Sequence, residues 1–257
     1  MARRKREQSE HGLYHVMLRG LNQQQLFYDD EDHRAFLKRL ARFKDECAFR
    51  LYAYSLMGNH VHLLIQVGPD ELSPIMKKLT ISYAYWFNLK YDRSGYLFQG
   101  RFKSEPVDDD TYLLVLFRYI LNNPVRIGKS MHEWTSLDDF LGEDLGEPSL
   151  TDCDFILKMF SNDEREARRL FFEFVNKASD VTPKVVDVAS PSAQRGVTDE
   201  VAIEMIKRRG SIKSCNMLAQ TNREERDRVI GLLKKEGLTI RQISRLTGIN
   251  RGIVQRA

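Results

Sequence analysis

Residues 60–67 read HVHLLIQV, and the alternation of Val61, Leu63, Ile65 and Val67 is the tightest constraint in the chain. Side chains two apart share one face of a strand, so these four make an apolar face and His60 and His62 fall together on the other. A two-residue step along a strand spans about 6–7 Å, short enough for both imidazoles to lean toward one divalent ion. Imidazole suits Mn2+, Zn2+ or Fe2+, and Mg2+ fits with oxygen and water in the remaining positions. The plainer alternative is two surface histidines on a half-exposed sheet.

The flanking sequence supplies partners for that strand. GLYHVMLRG reads as a strand with Tyr14, Val16 and Leu18 on one face. Residues 30–47 carry Phe36, Leu37, Leu40 and Phe43 at helical spacing. AFRLYAYSLM reads as a further strand, joined to HVHLLIQV through Gly58-Asn59. Ser73-Pro74 then offers a cap and a first-turn proline before Ile75, Met76, Leu79 and Tyr83. A strand near 102–107 and a helix near 109–122, stopped by Pro124, complete a β-α-β-β-α-β-α order. The expected class is therefore α+β: a ferredoxin-like split βαβ domain with one added helix.

The added helix carries Tyr119 and Asn123, four apart and so on one face. Packed across the sheet face opposite the other two helices, it brings a phenol and an amide oxygen beside His60 and His62. An aromatic stripe with an Asn cap before Pro124 is the plain alternative. Tyr112 lies seven residues before Tyr119, as packing or as a rival nucleophile. Asp108, Asp109 and Asp110 suit the helix N-terminus, with a hard-metal role as the lesser reading. A metal held by His60, His62 and Asn123 can polarise a scissile DNA phosphate for attack by Tyr119, leaving a 5′-phosphotyrosine and a free 3′-OH. The covalent link keeps the bond energy, so a second 3′-OH can reverse the step and join a new strand.

Four separated stretches, YHVMLRGLNQQQLFYDDEDHRAFLKRL, GNHVHLLI, LFQGRFKS and RYILNNPVR, occur in an order that resembles the REP-associated tyrosine transposases. These are relatives of the insertion-sequence transposases within the HUH single-strand nuclease superfamily. The resemblance covers about residues 10–135. It places the HUH pair on His60 and His62, the catalytic tyrosine on Tyr119 and the third, polar metal ligand on Asn123. It implies an HUH nuclease fold, a divalent cofactor (Mg2+ or Mn2+), and cleavage and rejoining of single-stranded DNA at extragenic palindromic hairpins.

Charge and composition complete the expectations. With 257 residues and 42% hydrophobic content, the chain can bury a core without disulfides; its three cysteines, Cys47, Cys153 and Cys215, form no CxxC pair. No apolar run approaches a membrane span and the basic N-terminus has no apolar segment after it, so a cytoplasmic protein is expected. The net charge of +4 says less than its distribution. Residues 138–154 hold seven acids and no base and read as a connector that avoids nucleic acid; residues 181–196 read as a linker. Arg3, Arg4, Lys5 and Arg6 suit a phosphate-contacting arm, and Arg19, Arg101, Lys103 and Arg118 would frame the site. Phe98 and Phe102 could stack unpaired bases or simply pack. Residues 234–256 carry six bases and one acid, and LTIRQISRLTGINRGIVQRA reads either as a helix-turn-helix, with Arg241, Arg245 and Arg251 toward DNA, or as a plain helical hairpin.

The expected division is a catalytic domain over 1–135, an acidic connector, helix and linker over 136–196, and a mostly helical DNA-binding region over 197–257. The leading expectation is a single-strand DNA endonuclease and strand transferase, monomeric or homodimeric, acting on hairpin DNA and not at a membrane. The runner-up is a non-catalytic DNA-binding protein or repressor that keeps the nuclease fold as a scaffold.

Overall fold

A computed structural model describes residues 6–68, 72–142, 149–177, 197 and 199–257. Arg3, Arg4, Lys5 and the linker expected over 181–196 lie outside the described residues. Strands β1 (Leu13–Arg19), β2 (Arg50–Met57), β3 (His60–Gln66) and β4 (Lys103–Pro106) form one antiparallel sheet in the order β2-β3-β1-β4. Helices α1 (Asp30–Cys47) and α2 (Leu72–Lys90) make the two crossovers, which is the split βαβ arrangement. Asp29 caps α1 by accepting from Asp32 N. The second helix begins at Leu72, so Ser73 and Pro74 sit inside its first turn, where a missing N–H costs nothing.

The period-2 pattern sorts the sheet into two faces. Val61, Leu63, Ile65 and Val67 join Tyr14, Val16, Leu18, Leu51 and Leu56 beneath α1 and α2, in the larger apolar cluster. The opposite face carries Leu13, Ala53 and Leu64 and receives α3 (Asp110–Leu121), whose Asp109 cap accepts from Tyr112 N. Gly12, at φ +67, closes the joint between β1 and the end of β3: a Cβ there would lie 2.0 Å from Val67 O.

Helix α3 is covered from behind. Helices α4 (Leu137–Leu141), α5 (Cys153–Lys158) and α6 (Glu164–Asn176) place Leu137, Phe140, Ile156, Phe171 and Val175 in the same cluster as Leu116, Phe117 and Ile120. The single helix expected within 136–196 is thus replaced by three, and part of the acidic stretch forms packed structure. The Phe117 ring lies 4.9 Å from Phe140 and 5.6 Å from Phe171, both near right angles, an arrangement aromatic quadrupoles favour. The same region blocks the free edge of β2: Leu56 N donates to Trp134 O, Ser136 N to Tyr54 O and Asp152 N to Leu51 O.

A third cluster is built by α7 (Asp199–Gly210), α8 (Arg223–Lys235), α9 (Ile240–Thr247) and α10 (Arg251–Arg256) around Ala202, Ile206, Leu233, Ile243, Leu246 and Val254. Thr239 caps α9 and Asn250 caps α10; between them Gly248 turns the chain at φ 74. That turn abuts the first unit, where a Cβ on Gly248 would lie 3.5 Å from Tyr28 Oη. Among the described residues no helix is long and apolar enough to cross a membrane.

Candidate active site

Antiparallel register brings the polar side chains of the second sheet face together. Met17 faces His62, and Arg19 faces His60, across the β1–β3 ladder; His15 faces Leu64 on the same side of the sheet. His62 and His15 are both fully buried, and His60 is 9% exposed. His62 Nδ1 and His15 Nε2 are hydrogen-bonded at 2.8 Å, with the rings stacked at 5.1 Å. His15 Nδ1 stands 3.7 Å from Glu105 Oε2 on β4, and Tyr112 Oη donates to the other oxygen of that carboxylate. A buried line therefore runs His62–His15–Glu105–Tyr112 across β3, β1, β4 and α3.

The outer ends of this line differ. His62 Nε2 is buried and has no hydrogen-bond partner among the described residues. Burial, reinforced by the neighbouring His60 and His15, holds the His62 imidazole well below its ordinary pKa, so it is neutral near pH 7. A neutral imidazole with Nδ1–H bonded inward keeps the Nε2 lone pair for a ligand, as a metal site requires. The His60 ring stands perpendicular to His62 at 5.0 Å, and its Nδ1 is bonded to Asn59 Oδ1 at 2.7 Å.

Tyr119 projects from α3 onto these rings. Its ring meets His62 edge-on at 5.6 Å and His15 at 6.4 Å, and the Arg126 guanidinium lies 4.7 Å from its centroid. Asn123, one turn later and buried, donates its amide N–H to Tyr119 O, which leaves the oxygen end of the amide for another partner. Asn122 points elsewhere, donating to Arg118 O and Val175 O. Among the described residues no three His, Cys, Asp or Glu side chains converge as a metal centre. A cation at this place would rest on two imidazoles and an amide oxygen, with water completing the shell, a mixed donor set that suits Mn2+, Zn2+ or Fe2+ and admits Mg2+ through its oxygen and water positions.

The basic residues expected around the site divide into several settings. Arg6, Arg19 and Arg101 line a cavity beside α2, and Lys103 is exposed at the start of β4. Arg118 packs over Phe174 at 4.6 Å, on the α6 side of its helix. Arg245 is tied to Asp199 of α7, with Nη2 donating to Oδ1 at 2.6 Å, so its fork is spent inside the helical unit. Arg241 and Arg251 are exposed. His15, Glu105 and Arg126 were not expected. The alternation that exposed Tyr14, Val16 and Leu18 already put His15 on the histidine face, but which strand lay beside β3 decides what it touches.

Residues 8–123 match the family described as IS200-like transposases. A solved REP-associated tyrosine transposase bound to a REP hairpin is 17% identical, with 60% of this chain and 93% of that one covered, at a TM-score of 0.48. A candidate transposase from Deinococcus radiodurans R1 is 20% identical over 47% of this chain and 97% of that one, at a TM-score of 0.34. No curated protein matches the sequence.

Proposed function

We propose that the chain, which matches the IS200-like transposase family over residues 8–123, cuts and rejoins single-stranded DNA beside palindromic hairpins with Tyr119 as its nucleophile. The observation that carries this reading is the placement of Tyr119, edge-on to His62 at 5.6 Å on a helix laid across the histidine face. A divalent cation, Mg2+ or Mn2+, would be held by His60, His62 and Asn123 and would supply Lewis-acid polarisation of the scissile phosphate. The buried, unbonded Nε2 of His62 fits that role.

The chain's own groups account for the rest. His15, bonded to His62 Nδ1, holds the His62 ring in place, with Glu105 standing behind it. The Tyr119 oxygen forms a bond to phosphorus as the P–O3′ bond breaks, and the phenolic proton passes to solvent or to the departing 3′ oxygen. The products are a 5′-phosphotyrosine and a 3′-OH, and attack by a second 3′-OH runs the same step backwards. Arg126, packed over the phenol ring, places a positive charge beside the nucleophile. Tyr112 is less suited to attack because its hydroxyl is engaged with Glu105.

The test is denaturing electrophoresis of labelled hairpin DNA with single-stranded flanks, incubated with protein and Mn2+. A shifted covalent adduct is expected from the parent and from Tyr112→Phe, and none from Tyr119→Phe. An adduct that persists in Tyr119→Phe, or activity that survives EDTA, refutes the assignment.

A further inference from the structure

A cavity of about 280 Å³ opens beside the first turns of α2, on the sheet face away from Tyr119. Its floor is apolar, from Leu18 and Met76, and its wall is the turn from Phe98 to Phe102 that leads into β4. Arg6, Lys77 and Arg101 also line it, and among the described residues no carboxylate does. The Arg6 guanidinium is already placed: it lies 3.7 Å from the Phe102 ring centroid and donates to Ser73 Oγ and Phe102 O, both at 3.0 Å. Those two bonds leave the remaining donors of its five-N–H fork uncommitted. Burial, and after it the nearby Arg101 charge, lower its pKa. Phe98 and Phe102 are only partly buried and line the same space, with Arg6 on one face of the Phe102 ring. Arg19 joins the cavity to the site described above, since it lines the one and faces His60 across the ladder in the other.

Clustered cations call for phosphate, and half-open aromatic rings over an apolar floor call for a planar base. The volume lies just below the usual range of ligand cavities, about 300–1,000 Å³, which leaves room for one nucleotide at most and excludes a duplex. We propose that this cavity holds one unpaired nucleotide of the substrate strand, base against Phe98 and Phe102 and phosphate on Arg6 and Arg101, and so sets which phosphate reaches Tyr119. The inference rests on the single-strand reading of the function and adds a base-binding position to it.

The experiment uses the full chain carrying Tyr119→Phe, so that binding is read without cleavage, and a fluorescein-labelled hairpin with single-stranded flanks. An abasic residue is stepped through the flanks while anisotropy reports Kd. One position is expected to cost on the order of tenfold in affinity, the effect of losing one stacked base. In Phe98→Ala that penalty disappears while the penalties elsewhere stand. A neutral methylphosphonate at that nucleotide should weaken the parent and cost distinctly less in Arg101→Gln, which keeps the test open if Phe98→Ala fails to fold. A flat abasic scan, or a Phe98→Ala loss shared equally by all positions, overturns the proposal. So does a flat scan together with calorimetric binding of dAMP or dTMP alone, which would make the cavity a free-nucleotide site. In all of those outcomes the functional reading survives as long as flanked hairpins bind better than the bare stem. If flanks add no affinity, the single-strand reading itself fails.

Discussion

Replacing His15 by Leu removes the inward partner of His62 while keeping an apolar side chain of similar bulk at a fully buried position. In the parent, His62 Nδ1 and His15 Nε2 are 2.8 Å apart and shielded from water. The variant leaves a buried imidazole N–H unsatisfied, a loss of about 1–3 kcal/mol. For a chain of this size that lowers Tm by a few degrees, at roughly 2–4 °C per kcal/mol. The larger consequence is chemical. Without its acceptor the His62 ring can turn or take the other tautomer, and loss of such an outer partner typically weakens metal binding or activity about 10–100-fold. Mn2+ titration followed by electron paramagnetic resonance measures the affinity directly, and adduct formation against Mn2+ concentration measures its use. The expected result is a Mn2+ curve displaced about 10–100-fold with much of the adduct rate regained at saturating metal. His15→Leu protein that binds Mn2+ as tightly as the parent, with an unshifted activity curve, would refute the idea that His15 orients His62.

Further outcomes follow from other parts of the molecule. Burial between the Phe27 and Trp134 rings pulls the His33 pKa down to about 4; the unfolded chain therefore takes up a proton that the folded one refuses, and stability, complete above about pH 6.5, should fall by up to roughly 3 kcal/mol toward pH 4. Urea unfolding followed by the fluorescence of Trp86 and Trp134 should show this slope in the parent and a flatter one in His33→Phe. Arg241→Ala and Arg251→Ala, both exposed, should weaken DNA binding and reduce its salt dependence, whereas Arg245→Ala should chiefly lower stability, by about 1 kcal/mol, through loss of the Asp199 pair; a salt titration and a melting curve separate the two effects. A fully paired duplex of the same sequence should not be cut, and equal cutting of duplex and flanked hairpin on a gel would count against a single-strand substrate.

Local pattern carried most of the first domain. The alternation in HVHLLIQV, the Asp29 and Asp109 caps and the apolar spacing of residues 36–43 are each decided within a few residues, and the helix over Asp30–Cys47 has the expected ends. Tyr119 and Asn123 were legible for the same reason, because four residues make one helical turn. What was not legible depends on which strands lie side by side. His15 and Glu105 meet only because β1 stands between β3 and β4, a pairing across long stretches of sequence that no local window contains. Arg118 and Arg245 read as free charges because their partners, Phe174 and Asp199, lie 56 and 46 residues away in the chain. The acidic stretch near 138 looked like a solvated connector, yet Leu137 and Phe140 are buried against the tyrosine helix while Asp138 and Asp139 bond His132 and Thr151.

The layer behind α3 has a consequence for how strands would be exchanged. Phe117 is wedged among Phe140 and Phe171, Arg118 lies on Phe174, and Asn122 is bonded to Val175 O, so the helix that bears Tyr119 is clamped between sheet and cover. A nucleophile mounted on so fixed a stem would not ferry its covalent cargo to a new position. The severed end would stay parked where it was captured, and the traffic would belong to the nucleic acid: one 3′ terminus withdrawing, another threading into the berth it left. The pace of joining would then be set by how quickly the DNA refolds around a stationary anchor.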